Sequence, residues 1–221
     1  MAYVTNITEA AAAKSGVKSG VNSAANSAAN SAACAPLIFT FHGTGGDEHQ
    51  FHGLAHGLVP PAAVLSPRGD VSEGGANRYF RRTGEGIYDM ADLAARTTAM
   101  ADWISREKAA RKPSVTIGIG YSNGANILAS VTFAAPALFD RLVLLHPLIP
   151  FGPAPQPGLA GKQVLLSAGR TDPVCPAPLT QRLADWYQAQ GAVVSLNWHD
   201  GGHEIRQSEV QAIAGFLADL A

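Results

Sequence analysis

Only two cysteines, Cys34 and Cys175, occur in the 221 residues, too few for a disulfide framework and without the spacing of a zinc or redox motif. That suits a reducing compartment. Charge is also scarce: acidic and basic residues make up 15% of the chain, the formal net charge is −1, and no basic cluster is longer than Arg81–Arg82. A surface that neutralises phosphates is therefore not written into the composition, which argues against nucleic acid as a partner. No apolar run approaches the ~18 residues that a bilayer span needs. Lys14 and Lys18 are followed by Ala, Asn and Ser rather than by the apolar stretch of a secretory signal. No stable membrane insertion is expected, and the cytoplasm is the expected location. What is present is 47% apolar residues, enough for one domain with a real core.

Residues 9–33 are low in complexity, with NSAA three times in tandem from Asn22 to Ala33. Such a tract buries too little to offset its ordering entropy, so a linker or a frayed Ala-rich helix is expected there. Residues 3–8, YVTNIT, are β-branched and aromatic and read as an edge strand, which places an N-terminal extension over 1–34 and the main domain over 35–221. From Pro36 onward, short apolar runs alternate with amphipathic ones, the pattern of an α/β fold: a mostly parallel central sheet with helices on both faces. Expected strands are Leu37–His42, Ala63–Ser66, Val115–Gly120, Arg141–His146, Gln163–Ala168 and Val193–Trp198. Expected helices are Asp89–Arg111, Asn123–Ala134, Ala177–Gln190 and Glu204–Leu220, the first from the spacing of Met90, Leu93, Thr97, Met100 and Ile104. Residues 67–88 read as a long polar, Gly-rich loop.

Ser122 lies in GYSNG, a G-x-S-x-G pattern that follows an apolar run and opens a helical stretch. A nucleophile elbow needs that context: a tight strand-to-helix turn lifts the hydroxyl clear of the sheet, and glycines stand where a Cβ would collide. Directly after the first core strand comes FHGTGGDE, whose glycines let the backbone approach a carbonyl oxygen; the amides of Thr44 and Asn123 are the expected oxyanion hole. His42 reads as a loop-shaping histidine. Asp172 follows the strand 163–168, and His203 precedes the last helix, giving the order Ser, Asp, His at the carboxyl ends of strands. Asp200 is the rival acid, but three residues from His203 in a Gly-rich turn it reads better as a loop former. His52 and His56, with Asp47, Glu48 and His49 nearby, lack the HExxH order, and a polar helix at a site mouth accounts for them without a metal.

FHGTGGDE, GYSNGAN, LHPLIP, GRTDPV and GGHEI together resemble the small carboxylesterase/phospholipase family of α/β-hydrolases, which includes acyl-protein thioesterases, and in particular its bacterial hydroquinone-responsive branch. The resemblance covers residues 36–221. It implies an α/β-hydrolase without a separate lid domain, a serine hydrolase that cleaves small-molecule esters or thioesters through an acyl-enzyme, with Ser122 as nucleophile, Asp172 as acid and His203 as base. No cofactor or metal is implied. The walls of the site are expected from residues 67–88 and 146–151, with Phe80, Leu148, Phe151 and Phe51 as apolar contacts; Arg81 and Arg82 read either as solvent-exposed charge or as partners of an anionic group. An amidase, a perhydrolase and a small-molecule receptor on the same scaffold stay open, as does a homodimer.

Overall fold

The computed structural model describes residues 3–10 and 34–221. In chain order the elements are β1 (Thr5–Thr8), β2 (Leu37–Phe41), α1 (His52–Leu58), β3 (Ala63–Pro67), β4 (Val71–Glu73), β5 (Ala76–Arg78), β6 (Arg82–Gly84), β7 (Ile87–Tyr88) and α2 (Met90–Arg111). There follow β8 (Thr116–Tyr121), α3 (Asn123–Ala134), β9 (Arg141–Leu145), β10 (Gln163–Gly169), α4 (Ala177–Ala189), β11 (Val193–His199) and α5 (Gln207–Phe216). One sheet carries seven strands in the order β1-β3-β2-β8-β9-β10-β11, parallel throughout except for β1, which runs antiparallel to β3 at the edge.

Alternation along the strands decides the layers. Leu37, Phe39 and Phe41 of β2, with Leu142 and Leu144 of β9 and Val164 and Leu166 of β10, meet α2, α3 and α4 in one core. Ile38, Ile117, Ile119, Val143, Leu145 and Leu165 face the other way, onto Ala55 of α1 and Ile213 of α5. The fold is the α/β-hydrolase arrangement. On α2, Leu93, Thr97, Met100 and Ile104 are buried, while Met90 in the first turn is 50% exposed; the helix starts at an N-cap, Asp89, whose carboxylate accepts the Asp92 N–H at 3.0 Å.

The segment from 67 to 88 is not the irregular loop that its composition suggests. It folds as two antiparallel hairpins, β4–β5 and β6–β7. Gly74 and Gly75 turn the first with φ of 56° and 90°, the positive values that a tight hairpin requires. The last helix begins later than its apolar pattern indicates, because Glu204 pairs with Arg206 and the Arg206 N–H caps onto the Glu209 carboxylate at 2.9 Å. The NSAA tract lies outside the described residues. No helix among the described residues is long and apolar enough to cross a membrane.

Candidate active site

Ser122 stands between β8 and α3 at φ 52° and ψ −117°, a backbone conformation that costs a non-glycine residue about 1–3 kcal/mol. The flanking glycines explain how it persists. A Cβ on Gly124 would overlap the carbonyl oxygens of Phe41 and His42, and one on Gly120 would lie 2.6 Å from the Gly124 oxygen, so α3 can seat its first turn directly on the end of β2. The Ser122 N–H is tied to the Leu145 oxygen at 2.9 Å, and its own carbonyl accepts from Asn126 N–H at 3.0 Å. The hydroxyl is thus held at the carboxyl edge of the sheet by neighbours on both sides.

Three loops at that edge converge on it. Ser122 Oγ lies 2.9 Å from His203 Nε2, and His203 Nδ1 lies 2.7 Å from Asp172 Oδ2. The loop bearing His203 is fixed by the Tyr121 hydroxyl, which donates to the His203 carbonyl at 2.7 Å. Asp172 is buried, and its Oδ1 accepts the N–H groups of Val174 and Cys175 at 2.8 and 2.9 Å. Burial alone would raise the pKa of this carboxyl; the Cys175 N–H, His203 and His146 outweigh it and hold it below the usual range. Asp200 points away, its side chain 94% exposed and 3.7 Å from Arg170.

Thr44 and Asn123 line the same small cavity as Ser122, together with Arg78, Arg82 and Leu148; its volume is about 60 Å³. Neither backbone N–H has a hydrogen-bond partner among the described residues. The Asn123 side chain accepts the Tyr79 N–H at 2.7 Å, while its buried Nδ2 has no partner among the described residues. His42 is a bridge within the wall: Nδ1 donates to the Gly43 oxygen at 2.7 Å, and Nε2 accepts the Gly69 N–H at 2.9 Å.

Four expected contacts lie elsewhere. Phe80 is fully buried, stacked edge-on against Tyr88 at 4.8 Å, because the chain between the two hairpins turns it into the core. Arg81 is pinned to the start of α2, its N–H on Asp92 at 2.7 Å and its guanidinium on Asp89 at 3.3 Å, so it faces solvent rather than Ser122. Phe151 packs on Phe133 and lines a separate hollow with Trp186 and Arg182. Phe51 is buried against Tyr121. The residues that replace them are Arg78 and Tyr88, both brought in by the hairpins.

Sequence reading also passed over His146 and Glu209. His146, at the end of β9 with φ 48°, is fully buried and lies with Nδ1 2.8 Å from Asp172 Oδ2; its Nε2 is 3.2 Å from Glu209 Oε1. The available signal was a histidine closing a strand at the site edge, in LHPLIP. Among the described residues, two groups of side chains have the spacing of metal ligands: His146, Asp172 and His203, and His146, His199 and Glu209. In the first, the nitrogen-to-oxygen separations of 2.7 and 2.8 Å are shorter than the ~3.3 Å between two ligands ~2.0 Å from a tetrahedral zinc. In the second, His199 Nδ1 accepts the Gly201 N–H at 3.0 Å, so a neutral His199 carries its proton on Nε2, the nitrogen that would have to ligate.

A strained serine between strand and helix, with histidine and aspartate delivered by later loops, defines a hydrolase of the α/β class. The chain is 36% identical over 177 residues to "Putative hydrolase MhqD" of Bacillus subtilis, covering 79% of this chain and 88% of that protein. Among solved structures, the Bacillus cereus carboxylesterase superposes with a TM-score of 0.81 at 30% identity, covering 98% of this chain and 94% of that one. A protein of unknown function from Agrobacterium tumefaciens superposes with a TM-score of 0.81 at 52% identity, covering 86% and 93%. No family model matches the chain. The chain belongs to the α/β-hydrolase family that holds these proteins, and it is an enzyme of the hydrolase class.

Proposed function

We propose that the protein is a serine carboxylesterase acting on small esters with short acyl groups. The observation that carries this is the unbroken contact from Ser122 Oγ through His203 to Asp172, at 2.9 and 2.7 Å. Asp172 holds the imidazole with its proton on Nδ1, leaving Nε2 to take the hydroxyl proton as Ser122 attacks the ester carbonyl. The N–H groups of Thr44 and Asn123 receive the oxygen that becomes negative, aided by the N-terminal end of α3. His203 then protonates the departing alcohol, and the same histidine draws a proton from water to release the acid. Thioesters follow the same path with a thiol as leaving group.

The cavity supports a size limit. The cavity beside Ser122 is small, about 60 Å³, which favours short acyl groups over a fatty chain. Charged groups stand in an otherwise largely apolar wall: Arg78 is buried, donates to Thr44 Oγ1 at 2.8 Å and shares the Glu73 carboxylate with Arg82, while Glu85 completes the rim. The buried guanidinium and the unpartnered Asn123 Nδ2 favour an acyl group that itself carries an oxygen acceptor or a carboxylate.

The test combines labelling with turnover. A fluorophosphonate should add once, at Ser122, and p-nitrophenyl acetate should be hydrolysed over many cycles; Ser122→Ala should lose both. Labelling that survives in that variant overturns the nucleophile, and a single turnover per chain in the parent protein would indicate a receptor rather than an esterase.

A further inference from the structure

We infer that His146 is a buried imidazolium that donates to the same Asp172 oxygen as His203 and thereby sets the pH range over which the triad works. The inference rests on the serine-hydrolase reading above, and its first part can be measured without any turnover.

A proton inventory around two buried carboxylates leads to it. Glu209 receives the Ser167 hydroxyl on Oε1 at 2.7 Å and the Arg206 N–H on Oε2 at 2.9 Å. Ser167 Oγ itself accepts from Asn197 Nδ2 at 2.9 Å, so its hydrogen is committed to Glu209. His199 Nδ1 accepts the Gly201 N–H, and its Nε2 lies 3.3 Å from Glu209 Oε2 without hydrogen-bonding geometry, so it does not satisfy that oxygen. Ser167 and Arg206 thus give each Glu209 oxygen a committed donor, which favours the ionised carboxylate; burial alone would raise its pKa, and His146, Ser167 and the Arg206 N–H outweigh it and hold it low. Asp172 is in the same position, with two backbone N–H groups on Oδ1 and His203 on Oδ2.

His146 lies between the two carboxylates, Nδ1 on one and Nε2 on the other. Between two ionised carboxylates a neutral ring would turn one lone pair toward an oxygen in a site with no exposed surface; the doubly protonated ring donates to both, to Asp172 Oδ2 at 2.8 Å and, at the longer 3.4 Å, to Glu209 Oε2. The other titratable groups around it agree. The rings of His199, His203 and Tyr121 approach at 5.4, 5.1 and 5.7 Å, and the Cys175 thiol, kept protonated by burial, donates to the His146 carbonyl at 3.0 Å. Burial by itself would lower the pKa of His146; Glu209 and Asp172 outweigh it and raise it. The backbone at φ 48° is further evidence of a held position, since strain of this kind persists only where the surroundings fix it.

The resulting buried row is Glu209 negative, His146 positive and Asp172 negative, and it ends on the half-buried His203, which takes the Ser122 proton. A fixed positive charge on the shared oxygen weakens the pull of Asp172 on that proton. His146 touches neither substrate nor reacting atoms; it is a positioning residue acting through Asp172.

The experiment is the pH profile of kcat/KM for p-nitrophenyl acetate in the parent protein and in His146→Asn, with ¹⁵N-histidine NMR of the parent. Asparagine tolerates the left-handed backbone and keeps one donor for Asp172 while removing the charge. The acid limb should move up by about one pH unit or more, as expected for loss of a unit charge ~5 Å away. One histidine should show both ring nitrogens protonated from pH 5 to 8, and that signal should vanish in the variant. A neutral His146 at pH 7, or a folded His146→Asn variant with an unmoved acid limb, overturns the inference. If the variant does not fold, the NMR of the parent still decides. Failure of the fluorophosphonate to label Ser122 would instead remove the triad reading, leaving the His146 protonation state to be read on its own.

Discussion

Both oxygens of Asp172 are occupied, Oδ1 by two backbone N–H groups and Oδ2 by two histidines. Asp172→Asn puts an NH₂ where every neighbour donates, so a tautomer change in His203 is forced and turnover should fall by about 10⁴, the loss seen in the best-studied protease triad. Asp200→Asn alters an exposed side chain and should stay within a few-fold; the reverse ranking on p-nitrophenyl acetate would reassign the acid. Stability should follow the same network. His146 has a raised folded pKa, so its contribution is complete below the unfolded value of ~6.5 and fades as pH rises through the folded one. Asp172 and Glu209 have lowered folded values, so theirs is complete above ~4 and fades as pH falls through the folded ones. Urea melts should therefore show the stability gap between the parent and His146→Asn widest between about pH 4.5 and 6.5 and narrowing above it. A gap that widens from pH 6.5 to 9 would contradict a charged His146. Arg78→Met should lower kcat/KM for p-nitrophenyl hemisuccinate relative to the acetate by about 10- to 100-fold, the worth of one charge-assisted contact; an unchanged ratio removes the proposed anion preference.

At the scale of elements, the contact between α3 and β2 is the one that the GYSNG turn makes possible. Gly124→Ala inserts a methyl against backbone carbonyl oxygens that cannot move without shifting β2, so the helix must lift and carry Ser122 and the Asn123 N–H with it. Fluorophosphonate labelling should drop by at least tenfold in a protein whose melting point has also fallen; full labelling rate would mean that the turn has slack. The turn that carries Ser122 was legible in the sequence because it is local, a strand, a serine and a helix within twenty residues. So were β2, β8, β9 and β10, whose apolar runs are long enough to stand out. The hairpins of 71–88 were not, since strands of two or three residues carry no periodicity, although Gly74-Gly75 marked a turn. Arg78 and Tyr88 were missed with them. His146 and Glu209 were illegible for a different reason: they are 63 residues apart, and only the packing of α5 against β10 and β11 makes them partners.

For the whole molecule, the remaining question is what β1 contributes. It pairs along four residues with β3, and around it Thr8 Oγ1 meets His52 Nε2 at 2.8 Å, Glu9 pairs with Arg111 at 2.6 Å, and Tyr3 stacks on Trp103 at 5.6 Å. These contacts bridge α1, α2 and the sheet, so a chain lacking residues 1–33 should lose stability in proportion. About 2–3 kcal/mol, or some 5–10 °C in Tm for a protein of this size, is the scale of a short edge strand with one packed aromatic ring. Catalysis should be spared, because β1 is separated from β8, which carries Ser122, by β3 and β2. Besides an exposed contact of Asn6 Nδ2 with His49 Nδ1 at 3.1 Å, a more buried route leads inward: Thr8 to His52, His52 to Ser66 at 2.8 Å, Ser66 to Thr40 at 2.6 Å in β2. The more buried route ends in the body of the strand, short of Thr44, and its Ser66–Thr40 link is complete without Thr8; the Asn6–His49 contact is exposed and contributes little. The truncated chain should therefore hydrolyse p-nitrophenyl acetate within threefold of the parent at 25 °C while melting several degrees lower. A collapse of turnover at unchanged Tm would show instead that the edge strand holds the catalytic loops, and would tie the N-terminal segment to the site itself.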